Sequence, residues 1–391
     1  MIVRQFINWI KTAPAGERAE ATRALARAWL ISDLSEQDRE AAEGALLMLL
    51  DDTSPLVRQT MAEVFARSAE APAAIVQALA LDQPSVALPI LEHSPLLIDA
   101  DLVDIVATSG GETQCAIARR IHLPASVCAA IAEVGTAAAA LELIENAYAE
   151  LAPFSWDRIV ERHGHLAAIR ESMLVLEDLP AATRAALVAK LSDTLAQFVV
   201  ARNWLSAERA ERMASEARDR STVNIAASSR GEDMRGLVRH LRATSQLTAG
   251  LILRALLSGN LELFEVALSE LSDLPRSRVS SLLLDRGEAS LVALLKRAGI
   301  PESTFSAFRA ALDVNHEFGF ADTLGGAARL RRRMVERVLT HCETDQASAG
   351  PLLILLRRLA TESARDEARL FCDELAAEEA VAPLQRGLIA A

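Results

Sequence analysis

The sequence predicts an all-α protein: a solenoid of stacked helical repeats followed by a smaller helical C-terminal domain. A unit made of a turn acid, a Ser-Pro helix start and an apolar stripe recurs through the first half, most clearly at residues 51–58. Such repeats bury a core only against their neighbours and present a long face to a partner. The chain is 51% hydrophobic but only 4% aromatic, and small contact residues let helices approach closely. No β-strand pattern competes anywhere.

The first helices are predicted from turn chemistry and from apolar residues at the 3.6-residue period. Residues 1–12 place Phe6 and Trp9 on one side of an amphipathic pattern. This pattern indicates a first or capping helix, or one that lies on a membrane surface. The Ser-Pro start is followed by apolar residues at Val57 and Met61. Further helices in this part are predicted at about residues 17–30, 36–50, 136–151, 155–163, 165–177, 180–200 and 203–218.

A polar segment separates two predicted domains. Residues 219–234 contain two Ser-rich spots and no apolar period, which is typical of a linker or loop. The predicted domains are therefore a repeat domain over residues 1–218 and a helical C-terminal domain over residues 235–391. Whether the segment after residue 319 belongs to the second domain stays open. Helices in this part are predicted at about residues 235–243, 247–257, 260–271, 275–285, 288–298, 301–317, 327–342 and 350–378.

Charge and cysteine usage narrow the class of protein. Residues 1–234 carry 21 Lys and Arg against 33 Asp and Glu, whereas residues 235–391 carry 20 of each. An acidic repeat region repels phosphate backbones and attracts basic protein surfaces, although the acids also serve to keep a long solenoid in solution. Four scattered cysteines without paired spacing fit a reducing cytoplasm. No apolar run reaches eighteen residues, so no membrane-spanning helix is expected.

Two stretches resemble a known bacterial family. The first contains Asp82, Val86, Pro89, Ser94, Pro95, Gln114, Arg120 and Asn146. The second contains Leu247, Thr248, Leu251, Arg254, Gly259, Gly299, Pro301 and Phe308. Together they resemble the family catalogued as domain of unknown function 2336, found mainly in alphaproteobacteria, over roughly residues 45–318. The resemblance implies a HEAT-like α–α superhelix and implies no reaction, ligand or cofactor. The segment after residue 319 departs from it.

A dense basic cluster is the first candidate site. Arg329, Arg332, Arg333 and Arg337 can largely share one face of a helix. A row of planar guanidinium groups suits phosphate or carboxylate groups. The alternative is a solvated face that pairs with nearby acids such as Glu336, and we favour it because charge runs on helices are usually solvent faces.

Polar residues at equivalent places in the repeats form the second set. These residues are Asp52, Arg58, Asp82, Arg120 and Asn146. In helical repeats such residues commonly form a ladder through the turns, where they satisfy helix ends and lock successive units together. We therefore interpret them as structural rather than as ligand-binding.

Sequence motifs for metal binding or catalysis are weak or absent. Glu161, His163 and His165 lie together, but their spacing is wrong for a zinc site on one helix, so no metal is predicted. No Gly-rich phosphate loop, nucleophile elbow or paired-histidine zinc motif is present. The sequence therefore names no catalytic residue and no cofactor, and an enzyme is not favoured.

These observations favour a cytoplasmic protein-interaction scaffold or regulatory adaptor, with a protein partner bound along the second helices of the repeats. The alternative is a nucleic-acid-binding helical-repeat protein of the DNA-repair type. Only Trp204 with Arg202, Arg209 and Arg212 fits that alternative, and the acid excess opposes it. Membrane-surface contact through residues 1–12 is a third, less favoured option.

Overall fold

The computed structural model describes residues 9–10, 12–285, 288–318, 326–344 and 350–389, without the side chains of the last thirteen. It consists of twenty-one α-helices and one 3-10 turn among those residues, so the all-α prediction is confirmed. The chain divides into two compact units, Met1–Leu179 and Pro180–Ala391. The amphipathic pattern predicted at residues 1–12 lies almost entirely outside the described residues.

Unit 1 is a helical-repeat solenoid of eleven described helices. They are α1 (Ala15–Ile31), α2 (Glu36–Leu49), α3 (Pro55–Phe65), α4 (Ala73–Ala80), α5 (Pro84–His93), α6 (Asp99–Thr108), α7 (Gly111–Ala118), α8 (Ala125–Val134), α9 (Ala137–Glu145), α10 (Pro153–His163) and α11 (Ala167–Val175). The odd-numbered helices form one layer in which each packs against the next, and α6, α8 and α10 do the same in the second layer. Contacts are therefore mostly between neighbouring pairs, as stacked repeats require.

The repeat sequence explains where these helices begin and what they bury. Pro55 and Pro84 each occupy the first turn of their helix, where the missing N–H costs no hydrogen bond and the fixed φ suits the helix. Phe65 is fully buried at the end of α3 and meets Trp29 of α1 edge-on, with 6.2 Å between ring centroids. Burying one such side chain stabilises the fold by about 1.5–3 kcal/mol, so aromatic contacts reinforce a core otherwise made of Ala, Leu, Ile and Val.

Unit 2 is a helical bundle of ten described helices. They are α12 (Ala181–Ala201), α13 (Ala207–Ser228), α14 (Gly231–Ala243), α15 (Ala249–Leu257), α16 (Leu261–Ser272), α17 (Arg276–Leu284), α18 (Glu288–Arg297), α19 (Phe305–Phe318), α20 (Gly326–Thr344) and α21 (Gly350–Ile389). The short helix α15 is central, because it packs against α13, α16, α19 and α20 and every residue from Leu251 to Leu257 is buried.

The predicted linker at residues 219–234 is wrong. Helix α13 continues to Ser228 and α14 begins at Gly231. The inward positions of α13 are mostly small or polar, such as Ala214 and Thr222, so the stretch has few of the large apolar residues that reveal a helical period. The compact units instead separate between Leu179 and Pro180, which makes the second unit the longer one.

Candidate functional site

An arginine–aspartate ladder joins the first odd-layer helices of unit 1. Arg18 donates two hydrogen bonds to Asp52, Nε to Oδ2 and Nη2 to Oδ1, both at 2.8 Å. Arg58 donates in the same bidentate way to Asp82, with Nη2–Oδ1 at 2.9 Å, and its Nη1 donates to the carbonyl oxygen of Asp52. The ladder therefore runs from α1 through the α2–α3 turn to α3, and on to the α4–α5 turn.

The ladder sets the charge state of its acids. The hydrogen bonds from Arg58 are the main reason why the pKa of Asp82 is lowered, although partial burial acts in the opposite direction. Burial alone would raise the pKa of Asp52, but hydrogen bonds from Arg18 and from the Ser54 N–H lower it below its ordinary value. Both carboxylates are therefore ionised at neutral pH, and their attachment to arginine is charge-assisted.

Arg120 and Asn146 link successive repeats at the other edge of unit 1, where odd-layer helices lead into the second layer. Arg120 donates to the carbonyl oxygens of Leu91 and Ser94 at the end of α5, both at 2.6 Å. Asn146 Nδ2 donates to the carbonyl oxygens of Ala118 and Arg120 at 2.7 and 2.8 Å. The structure thus gives all five predicted repeat residues helix-end or inter-repeat contacts.

The same three turns carry a row of exposed apolar side chains, which we call the apolar edge. It consists of Ile98 in the α5–α6 turn, Ile121 in the α7–α8 turn and Tyr148 in the α9–α10 turn. Each of these side chains is about 60% exposed. Val175, the last residue of α11, is also exposed. Exposed apolar residues in successive turns along one edge are typical of a contact surface.

Contacts between neighbouring turns hold this apolar edge in place. Leu123 and Ala149 form an isolated parallel β-bridge between the α7–α8 and α9–α10 turns, and the rings of His122 and Tyr148 meet edge-on at 6.0 Å. Ser126 donates to Asp99 Oδ2 at 3.2 Å, which connects the starts of α6 and α8. A surface fixed in this way loses little conformational freedom when a partner binds.

Unit 1 is strongly acidic. Residues 1–179 contain 13 Lys and Arg against 26 Asp and Glu, a net charge of −13. Asp99 directly follows Ile98 as the first residue of α6, and Glu150 lies in the α9–α10 turn of the apolar edge. The opposite edge also exposes apolar residues, Leu81 among them, but it is the edge that carries the Arg18–Asp52 and Arg58–Asp82 ladder.

The predicted basic cluster on α20 is engaged with acids. Arg332 pairs with Glu336 at 2.7 Å and with Glu367 of α21 at 3.0 Å. Arg337 pairs with Glu317 at 2.6 Å. Arg329 lies 3.9 Å from Glu367 and 3.7 Å from Glu374, while Arg333 is exposed. The cluster therefore joins α20 to its neighbours through ion pairs, and a ligand-binding role for it stays a prediction.

A denser group of arginines lines an open cavity of about 600 Å³ in unit 2, which we call the arginine cavity. Helices α13, α15 and α21 form its walls. The arginines that line it are Arg220, Arg254, Arg357, Arg358, Arg365 and Arg369. The sequence interpretation missed this group because its members are up to 149 positions apart. A charged residue within the apolar run 251–257 is the signal that could have revealed it, since buried charges require partners.

The remaining predicted groups lie in ordinary structural positions. Trp204 lies in the α12–α13 turn, where its ring meets Phe198 edge-on at 5.7 Å and Arg202 lies over Phe198 at 4.8 Å. His163 Nε2 lies 3.3 Å from the carbonyl oxygen of Gly135, to which it can donate, and burial lowers its pKa. Within the described residues there is no cluster of three His, Cys, Asp or Glu that could hold a metal ion.

None of the described helices combines the length and apolar character needed to cross a membrane. A family model for an uncharacterised protein conserved in bacteria, domain of unknown function 2336, matches residues 86–346, which is more than half of the chain. No curated protein and no solved structure matches the sequence.

Proposed function

The chain belongs to the bacterial family of domain of unknown function 2336, and from that premise we propose that it is a cytoplasmic protein-interaction scaffold. Its docking surface is the apolar edge of unit 1, and its partner is a segment that carries both apolar and basic side chains. The exposed residues Ile98, Ile121 and Tyr148 in three successive, mutually braced turns carry this proposal.

Charge determines the choice of partner. Unit 1 has a net charge of −13, and the acids Asp99 and Glu150 lie within two positions of the apolar residues Ile98 and Tyr148. Complementary charge steers association and excludes partners of like charge. An amphipathic helix with lysines or arginines beside its apolar stripe satisfies both requirements, because one face presents apolar anchors and the flanking positions present positive charge.

The cysteines bear on the compartment in which the protein acts. Cys115, Cys128, Cys342 and Cys372 form no disulfide among the described residues, and disulfides are rare where the cytoplasm keeps thiols reduced. This supports the cytoplasmic placement within the proposal.

The test uses a synthetic amphipathic peptide of Leu and Lys, with a Leu and Glu peptide of the same pattern as its counterpart. We expect the Leu–Lys peptide to bind the full chain and the Leu–Glu peptide to be excluded. The double variant Ile121→Ser with Tyr148→Ser is expected to weaken binding about 10- to 100-fold, because a few central anchors carry most interface energy. Fluorescence anisotropy measures each affinity.

The matched control is Leu81→Ser, which removes an exposed apolar residue from the opposite edge. It is expected to leave peptide affinity unchanged. Equal losses in the control and in the double variant, or equal binding of the two peptides, contradict the proposal. Titration with duplex DNA at two salt concentrations addresses the nucleic-acid alternative, since a steep salt dependence of binding would support that class instead.

A further inference from the structure

The charges that line the arginine cavity do not balance. Six arginines face three acids, Glu216, Glu362 and Asp366. Arg254 pairs with Glu362 at 2.7 Å, Arg220 pairs with Asp366 at 2.7 Å, and Arg358 pairs with Glu216. Arg369 lies 3.9 Å from Asp366, and Arg365 makes no ion pair within the described part of the chain. Arg357 pairs with Glu343, outside the lining, at 2.9 Å. The lining therefore keeps an excess of positive charge that is centred on Arg365 and Arg369.

Buried donors at this site also lack partners. Arg254 is only 6% exposed, lies in a helix that is otherwise apolar and lines the cavity. Its Nη1 donates to both oxygens of Glu362, but its Nε is buried without a hydrogen-bond partner among the described residues. A small adjoining cavity is lined by both Arg254 and Arg331. The Nε atom of Arg331 is also buried without a hydrogen-bond partner among the described residues. Buried polar groups without partners are uncommon in native proteins, and they often mark a site where a ligand or ion completes the hydrogen bonds.

The arrangement of α21 adds a row of exposed donors. Arg357, Thr361, Arg365 and Arg369 follow one another at intervals of four residues and so lie along one helix face. Arg357 and Arg369 have side chains that are 64% and 71% exposed. Guanidinium groups bind phosphate oxygens through paired N–H donors, and the cavity volume lies within the range of small-molecule sites.

We propose that the arginine cavity of unit 2 binds a small ligand that carries a diphosphate group. Several guanidinium groups around one open cavity suit the multiple negative charge of a diphosphate better than the single charge of a lone carboxylate. Ile354, Leu355 and Ala217 complete the wall and give an organic portion of the ligand an apolar surface. The chemistry is shared by inorganic pyrophosphate and by nucleoside diphosphates.

Isothermal titration calorimetry of the full chain tests the site with pyrophosphate, ADP, adenosine and citrate. Pyrophosphate and ADP are expected to bind, adenosine is expected not to bind, and citrate is expected to bind at least about tenfold more weakly than pyrophosphate. Tighter binding of ADP than of pyrophosphate identifies a nucleotide as the ligand, and the reverse order identifies the free diphosphate. Absence of binding by both at millimolar concentration, or equal binding of citrate, overturns the proposal.

The variant Arg365→Ala with Arg369→Ala removes two exposed lining arginines and leaves the buried Arg254–Glu362 pair intact. Loss of two charge-assisted contacts is expected to weaken pyrophosphate binding roughly 100-fold. The matched control, Arg235→Ala with Arg239→Ala, removes the same charge from α14, away from the cavity, and is expected to bind within about twofold of the wild type. Equal weakening in both double variants assigns the effect to net charge and contradicts the site.

Discussion

Replacing Arg58 with Ala should destabilise unit 1 strongly, because this side chain connects three elements. It donates two hydrogen bonds to Asp82 and one to the carbonyl oxygen of Asp52. The side chains of Arg58 and Asp82 are only 15% and 17% exposed, so water cannot fully replace the lost contacts. With hydrogen bonds to charged groups contributing about 1.5–3 kcal/mol each, and with partial solvation of the freed groups, we expect a loss of about 2–4 kcal/mol.

A double-mutant cycle separates the pair from other effects of the substitution. Arg58→Ala, Asp82→Ala and the double variant should give a coupling free energy of about 1–2 kcal/mol, the range expected for residues in one ion-pair network. Because Arg58 lowers the pKa of Asp82, the pair stabilises the fold above the unfolded pKa of about 4. That contribution is lost as the pH falls through the lowered pKa of the folded state.

Urea unfolding followed by tryptophan fluorescence measures these changes, since Trp9, Trp29 and Trp156 lie in unit 1 and only Trp204 lies in unit 2. The control is Arg23→Ala, which removes an ion pair to Glu63 at 3.3 Å between side chains that are 32% and 42% exposed. We expect this control to cost less than about 0.5 kcal/mol. An unchanged unfolding midpoint in Arg58→Ala, or a coupling free energy near zero, would refute the structural role. Unchanged stability together with lost peptide binding would assign Arg58 to a docking site.

Three further predictions concern single positions. Burial raises the pKa of Asp219 to about 6. Above that pH the buried carboxylate is ionised and destabilises the fold. This destabilisation decreases as the pH falls towards about 4, the pKa of the carboxyl group in the unfolded chain. Asp219→Asn should therefore be more stable than the wild type at pH 8, by up to about 3 kcal/mol, and should match it near pH 4 in urea titrations; a constant difference across that range contradicts this assignment. Gly135→Ala should lower the melting temperature, because an added Cβ would lie 2.4 Å from the carbonyl oxygen of Ile131. By contrast, an added Cβ at Gly44, in the middle of α2, meets open space. Gly44→Ala should therefore stabilise the fold by about 1 kcal/mol. Burial also raises the pKa of Cys128 to about 11, so a maleimide reagent at pH 8 should label the exposed Cys372 first and Cys128 only after urea is added.

The sequence predicted the repeats because their signals are local. Pro55 and Pro84 mark helix starts within one turn, and the buried residues Val57, Met61 and Phe65 follow one helix period. The polar residues Arg58 and Asp82 were recognisable because each lies within a few positions of a helix-starting proline, although their pairing across 24 positions is visible only in the structure.

The linker prediction failed for a reason that also hid the arginine cavity. Helix α13 has a charged face towards that cavity, with Glu216 and Arg220 in its lining and Asp219 largely buried beside Arg254. A helix with such a face lacks the apolar stripe by which helices are recognised. The cavity itself combines α13 and α15 with a helix more than one hundred positions later in the chain, a distance that no local pattern spans.

The packing of each unit 1 helix mainly against its immediate neighbours has a consequence for how the array can change. Stability in such a stack is close to a sum over adjacent pairs, so a pair can be added or deleted at an end without redesign of the middle. The number of helix pairs therefore sets the length of unit 1. A longer or shorter stack can be made from the same kind of pair while the distance between successive pairs stays constant.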